Sequence, residues 1–258
     1  MISSQAARRE PSGHPALEAQ NLSVSFGGLN ALQGFSFQLG YQQIGGLIGP
    51  NGAGKTTCFN LLTNLYQPTE GNIKLFGHEI KGAPSYHLFR WGLGRTFQNI
   101  RLFHRMTVLE NVLVTQPNSS FFRTNHQHRK EALDLLDFFH LADQAEKKAG
   151  SLPYGAQRRL EIARALAGNP GVLLLDEPAA GMNPSETSQL AEQIKEIRNR
   201  FQVSILLIEH DMHLVMGVCD YLWVLNFGHQ IAQGTPMEIQ RNPAVIEAYL
   251  GRKERSEC

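Results

Sequence analysis

The sequence predicts an α/β fold with a buried parallel sheet, an extended β segment on its N-terminal side and a helical insertion. Three observations carry this. The apolar runs at 172–175 and 203–208 are continuous rather than alternating, as expected of parallel strands covered on both faces. The stretches LEAQNLSVSF, FSFQL, IGGLIGP and NIKLF read as extended, each bounded by Gly, Asn or Gln. Residues 107–168 lack strand signals and show helical spacing, as in Leu133, Leu136 and His140. With 258 residues, 42% apolar and 18% charged, the chain can bury one large domain with an insertion.

In chain order, residues 1–16 read as a loose polar tail and 17–251 as the folded domain. The helical insertion spans roughly 99–168, and 252–258 form a short C-terminal tail. A helix after Gly49 would bury Phe59, Leu61, Leu62 and Leu65 and stop before Pro68. A later helix carries its start in Asn183, Pro184 and Glu186, a cap, a first-turn proline and a capping box, with Leu190, Ile194, Ile197 and Phe201 as its apolar face. YLWVLNFGHQIAQG reads as a hairpin turning at Phe227 and Gly228, and Thr235 to Glu238 as a second capping box.

Composition excludes several classes. Twenty-four basic against 23 acidic residues leave a net charge of +1, so no nucleic-acid partner is expected. Three distant cysteines, Cys58, Cys219 and Cys258, indicate free thiols rather than a disulfide framework. No apolar run approaches the length of a membrane span, and residues 1–15 lack the apolar region of a secretory signal. A soluble cytoplasmic protein, meeting any membrane through partners, is expected.

Gly49-Pro50-Asn51-Gly52-Ala53-Gly54-Lys55-Thr56, followed by Thr57, fits G-x-x-x-x-G-K-[ST] between a strand and a helix. Its glycines let backbone N–H groups face a polyphosphate, to which the helix N-terminus adds its positive end. Lys55 would reach the outer phosphates and Thr56 would hold Mg²⁺. Together with the strands this predicts a P-loop NTPase core. The run at 172–175 ends on Asp176 and Glu177, the first placed to hold Mg²⁺ and the second, on the opposite face, to polarise water. No Asn-Lys-x-Asp base-reading loop of a GTPase occurs. Cys58, beside Thr57, is expected to be a buried small residue of the helix after the loop, where a thiol reagent that enters would block nucleotide binding.

Further residues carry a family resemblance. Gln98 in Thr-Phe-Gln-Asn, the segment Leu152-Pro153-Tyr154-Gly155-Ala156-Gln157 with its following Arg158-Arg159-Leu160-Glu161, the loop 179–183 and His210 in Ile-Glu-His-Asp stand in one order. That order resembles the ATP-binding subunits of ABC transporters. The resemblance implies the ABC ATPase fold, a RecA-like core with an N-terminal antiparallel β subdomain and an inserted helical subdomain, and assigns Gln98 to the Q-loop, where it also meets the metal. It makes His210 the γ-phosphate switch, Phe26 the adenine-stacking aromatic, and Pro153, Tyr154, Gly155, Ala156 and Gln157 the signature facing a second subunit's ATP. Asn183 ends the D-loop. The sequence departs from the usual signature, with Pro153 at the serine position and Asn183 where aspartate is common.

Strings such as Gly94-Arg95-Thr96-Phe97-Gln98 and Asn242-Pro243 with Tyr249-Leu250-Gly251 resemble the branched-chain amino-acid importer ATPases of the LivG type. Urea importers and lipopolysaccharide exporters are near neighbours in pattern. The resemblance implies two membrane permeases, a second ATPase subunit, identical or related, an indirect substrate-binding protein, and a place on the cytoplasmic side of the inner membrane. A permease would dock on residues 85–115, where Phe97, Ile100, Leu102, Phe103 and Met106 alternate with Arg95, Arg101 and Arg105. A non-transport ABC ATPase would carry a second cassette, a long coiled coil or a cysteine cluster, none of which occurs. A degenerate nucleotide-binding scaffold is countered by Lys55, Asp176, Glu177 and His210.

Overall fold

A computed structural model describes residues 13–116 and 126–250, whose strands form two sheets. The first is antiparallel, in the order β2-β1-β4-β5, built from β1 (Leu17–Phe26), β2 (Leu29–Leu39), β4 (Glu70–Leu75) and β5 (His78–Glu79). The second runs β10-β9-β3-β8-β7-β6. Its members are β3 (Ile44–Ile48), β6 (Leu93–Arg95), β7 (Val172–Asp176), β8 (Ser204–Ile208), β9 (Tyr221–Asn226) and β10 (His229–Gly234). All neighbours in it are parallel except β9 and β10, the expected hairpin. An α/β core with an antiparallel β subdomain is what the resemblance implies.

Every residue of β3, β7 and β8 is buried, which explains their lack of alternation. Successive side chains still point to opposite faces and enter different cores. Leu173, Leu175, Ile205 and Leu207 join the core shared with the helical insertion. Leu174, Leu206 and Ile208 join the core shared with the antiparallel sheet and helix α1 (Lys55–Leu62). Gly45 and Gly46 let neighbours close in, since a Cβ would lie 2.6 Å from Trp223 and 2.5 Å from Leu222.

The insertion holds α3 (Val108–Leu113), α4 (His126–Phe138) and α5 (Tyr154–Ala167), with α2 (Ser85–Arg90) preceding β6. Around the sheet lie α6 (Pro184–Phe201), α7 (Met212–Val218), α8 (Pro236–Gln240) and α9 (Pro243–Leu250). The capping boxes of Asn183 and Thr235 form as read, and Thr107 makes a third.

Four local expectations shift. The buried face of α4 is Ala132, Leu135 and Leu136, continued by Phe139, while His140 is an exposed left-handed residue past the helix end. Helix α1 begins only at Lys55, because Gly54 has φ +103°, and it ends at Leu62, leaving Leu65 half exposed. Ala16 belongs to the fold rather than the tail, being fully buried with its N–H donated to Leu39 O at 2.8 Å. Residues 1–12 and 252–258 of the expected tails lie outside the described residues.

Leu207 is fully buried in β8. Leu207→Ala is expected to cost about 2–5 kcal/mol through lost transfer energy and a residual cavity. Urea denaturation of the purified chain measures it directly.

Candidate active site

The loops after β3, β7 and β8 leave the sheet at the carboxyl ends of their strands, where open α/β sheets bind ligands. Beside them sits the tip of the β9–β10 hairpin, whose Gly228 N–H donates to Ala53 O at 3.0 Å. Together they line a cleft of about 920 Å³ holding residues 51–57, Gln98, Glu177 and His210.

The phosphate loop is held by close approaches that require glycine. At Gly49 a Cβ would collide with Leu225 O, and at Gly54 it would lie 2.6 Å from Ala31 O. Lys55 folds back over the loop, its Nζ donating to Gly49 O at 2.7 Å and Pro50 O at 2.9 Å. Burial pushes the Lys55 ammonium down, against the opposing pull of Glu177 and Asp176. No side chain caps the N-terminus of α1, so its first N–H groups face the cleft for an anion. Thr56 and Thr57 line the same cleft.

Asp176 ends β7 and is buried. Its Oδ2 accepts from Arg95 Nη2 at 3.0 Å, while Oδ1 is buried with no hydrogen-bond partner among the described residues. Burial pushes its carboxyl up and the Arg95 guanidinium pulls it back down. An orphaned buried carboxylate oxygen costs free energy unless something meets it. With the Thr56 hydroxyl and Gln98 on the cleft wall, the donor set fits Mg²⁺, which uses few protein oxygens plus substrate phosphates.

Glu177 does not continue the strand to the opposite face as expected. It turns off in a left-handed conformation, φ +47°. The strain sets its carboxylate between two exposed side chains. Oε2 accepts from Gln98 Nε2 at 2.9 Å, and Oε1 lies 2.7 Å from His210 Nε2. The site therefore joins Lys55, Thr56, Gln98, Asp176, Glu177 and His210 in one place.

Other anticipated residues lie elsewhere. Phe26 does not line the cleft; it packs edge-on against Tyr66 at 5.1 Å. The apolar walls are instead Leu29 and Phe227, the latter 79% exposed at the hairpin tip. Residues 153–157 sit at the N-terminus of α5, and none lines the cleft. Pro153 is the N-cap and offers no side-chain bond, so the first-turn N–H groups of α5 are not capped by it. Ala156 is buried, leaving only its backbone for a ligand, and Gln157 Nε2 is committed to Leu152 O at 2.8 Å. Pro153 and Tyr154 are exposed and Gly155 is half-buried, and Asn183 spends its side chain capping α6.

The 85–115 surface also changes. Arg95 is interior, bridging Asp176 to Asn60 Oδ1 and Thr63 Oγ1, both at 2.9 Å, on and just past α1. Leu102 is buried as well, so the exposed apolar members are Phe103, Tyr86 and Trp91. Sequence reasoning also missed Arg158 and Glu161. Both are buried and paired at 2.8 Å, and Arg158 donates to the carbonyls of Phe97, Gln98 and Glu177. Two opposite charges at i and i+3 among apolar positions were the available signal.

Cys58 is fully buried on α1, and burial raises its thiol far above the usual range. The expected reagent block is therefore replaced by inertness. Cys58 should resist maleimide in the folded protein with or without ATP, and label only on unfolding. Mass spectrometry of labelled peptides reads this, and ATP-sensitive native labelling would contradict it.

Comparison with known proteins gives one consistent answer. Residues 32–180 match the family model of the ABC transporter, and residues 229–255 that of the branched-chain amino acid ATP-binding cassette transporter. The high-affinity branched-chain amino acid transport ATP-binding protein BraF of Pseudomonas aeruginosa is 48% identical, over 92% of this chain and 98% of its own length. LivG of Escherichia coli K12, with the same description, is 47% identical over the same shares. The lipopolysaccharide export ATP-binding protein LptB of Acidithiobacillus ferridurans is 35% identical over 91% and 96%. Among solved structures, the ADP conformation of MJ1267, an ATP-binding cassette of an ABC transporter, superposes with TM-score 0.83 at 29% identity, covering 92% of this chain and 99% of that one. The chain belongs to the ATP-binding subunits of the ABC transporter family.

Proposed function

We propose that the chain hydrolyses ATP to energise uptake of branched-chain or related amino acids through partner permeases. The observation that carries the ATPase reading is the placement of Glu177 between Gln98 and His210, in the same cleft as Lys55 and the phosphate loop. Residues 49–57 would hold the phosphates through backbone N–H groups and Lys55. Thr56, Asp176 and Gln98 would hold Mg²⁺, which neutralises phosphate charge when bound. Glu177, steadied by its two neighbours, would accept the proton of an attacking water, and His210 would face the γ-phosphate. The hairpin residue Phe227 and Leu29 wall the base side, with Phe26 near the same edge as the second aromatic candidate.

Residues 153–157 and Asn183 lie outside this cleft, so we assign them to the ATP of a second subunit, identical or related. The uncapped first turn of α5 and the half-buried Gly155 support that assignment, because N–H groups can replace the hydroxyl that Pro153 lacks. Two membrane permeases would be met by the exposed Phe103, Tyr86 and Trp91. A substrate-binding protein would act indirectly, and the chain would sit peripherally on the cytoplasmic side of the inner membrane. Among the described residues no helix is long and apolar enough to cross a membrane, so an attachment through partners fits. The folded unit would take in Ala16 and run from there to about 251, with the helical subdomain at about 99–168.

Amino-acid uptake is favoured over lipopolysaccharide export by the higher identity to the amino-acid transport proteins and by the match over residues 229–255.

Two outcomes are expected. Glu177→Gln should bind ATP normally but lose about 10²–10⁴-fold in turnover, the usual worth of a positioned base. Phosphate release together with fluorescent-nucleotide titration measures both quantities. Deleting the gene should abolish high-affinity leucine, isoleucine and valine uptake, read with radiolabelled substrate. Intact uptake with failed urea uptake or lipopolysaccharide delivery would leave only the ATPase assignment standing.

A further inference from the structure

Glu209 follows β8 and is buried, yet among the described residues no side-chain cation bonds to it. Its carboxylate is satisfied by backbone instead. Oε1 accepts from Ala179 N–H at 2.7 Å, and Oε2 accepts from His210 N–H at 3.0 Å and Asp211 N–H at 3.4 Å. The first donor belongs to the loop after β7, the others to the loop after β8. Those are the loops that carry Glu177 and His210. A second bond crosses at the same level, Glu177 N–H to Ile208 O at 2.9 Å.

We propose that Glu209 is a positioning residue that locks the 177–183 loop to the His210 loop, so that the two move as one body. The proposal rests on the ATPase reading of Glu177 and His210. A buried carboxylate is held in place by its donors, because losing any of them leaves charge uncompensated in a poorly polarisable interior. The Ala179 bond therefore cannot be given up cheaply when His210 shifts. Beyond Ala179 the loop runs to Gly181, where a Cβ would stand 3.3 Å from the Tyr154 ring, and then to Asn183, the cap of α6. A displacement at His210 thus reaches the Tyr154 end of α5 through Glu209 and the loop from Ala179 to Gly181. Neither Gln98 nor the phosphate loop lies on that route.

Glu209→Gln tests this while keeping side-chain shape. The amide keeps one acceptor oxygen and turns an N–H donor toward backbone donors, so one loop must be released. In the full chain without nucleotide, hydrogen exchange at Ala179, His210 and Asp211 should quicken about tenfold or more, while β7 and β8 keep their protection. In ATP turnover, kcat should fall about tenfold with KM within about twofold, the split expected when binding groups are intact but the water-polarising pair is misplaced. Unchanged exchange at these amides, or wild-type kcat, would overturn the proposal. So would a uniform loss of protection through β7 and β8, which marks a merely structural residue. Should the variant fail to fold, the wild type decides. Adding a non-hydrolysable ATP analogue should protect the amides of Ala179 and His210 together, and protection of His210 alone would refute the link. A wild type that hydrolyses no ATP sinks the functional reading, while the nucleotide-free exchange result still judges this one.

Discussion

The ion pair of Arg158 and Glu161 is the constraint around which the site is arranged. Both side chains are almost completely withdrawn from water, and each isolated charge would cost several kcal/mol there. Pairing at 2.8 Å offsets part of that, and backbone groups must supply the remainder. Arg158 takes the carbonyls of Phe97, Gln98 and Glu177, and Glu161 takes the N–H groups of Phe97 and Arg101. The chain around Gln98 and the peptide of Glu177 must therefore converge on one turn of α5. Their side chains then meet on the cleft side, 2.9 Å apart. A helix of the insertion is in this way bonded to two groups at the hydrolytic end of the cleft, so a rigid shift of α5 is felt at both.

A second buried arginine performs the matching task on the other side of the phosphate loop. Arg95 fastens Asp176 to Asn60 of α1 and to Thr63 just beyond it. The carboxylate is left with one oxygen bonded and one buried and open. Arg95 meets only one of the two oxygens, because its Nη1 is committed to Asn60 Oδ1 and Thr63 Oγ1. Lys55 meanwhile is satisfied by loop carbonyls at Gly49 and Pro50. Phosphate oxygens are stronger acceptors than carbonyls, so the lysine has somewhere better to go when a nucleotide arrives.

The large sheet makes both arrangements possible. Because its strands send alternate side chains into two cores, the insertion is packed on one face and the antiparallel sheet with α1 on the other. The strand ends between them are positioned from both sides at once, and functional side chains follow immediately after rigid strands. The left-handed Glu177 and the glycines of the phosphate loop lie at this boundary, where an extended strand must turn abruptly.

How much of this was legible in the residues depended on how local each signal was. The phosphate loop, the capping boxes at Asn183 and Thr235, the buried strands and the β9–β10 hairpin depend on neighbours within a few positions, so spacing alone determined them. The motif order from Gln98 to His210 likewise exposed the family and most of the cleft. Tertiary structure alone decided where Arg95 points, since an arginine among apolar residues reads as a surface charge until Asp176, 81 positions away, is seen beside it. It decided that Glu161 and Glu209 are buried and held by N–H donors, and that Phe227 rather than Phe26 lines the cleft. The reason is physical: burial and pairing of a charge are settled by groups brought from distant parts of the chain, and no local pattern records which ones arrive.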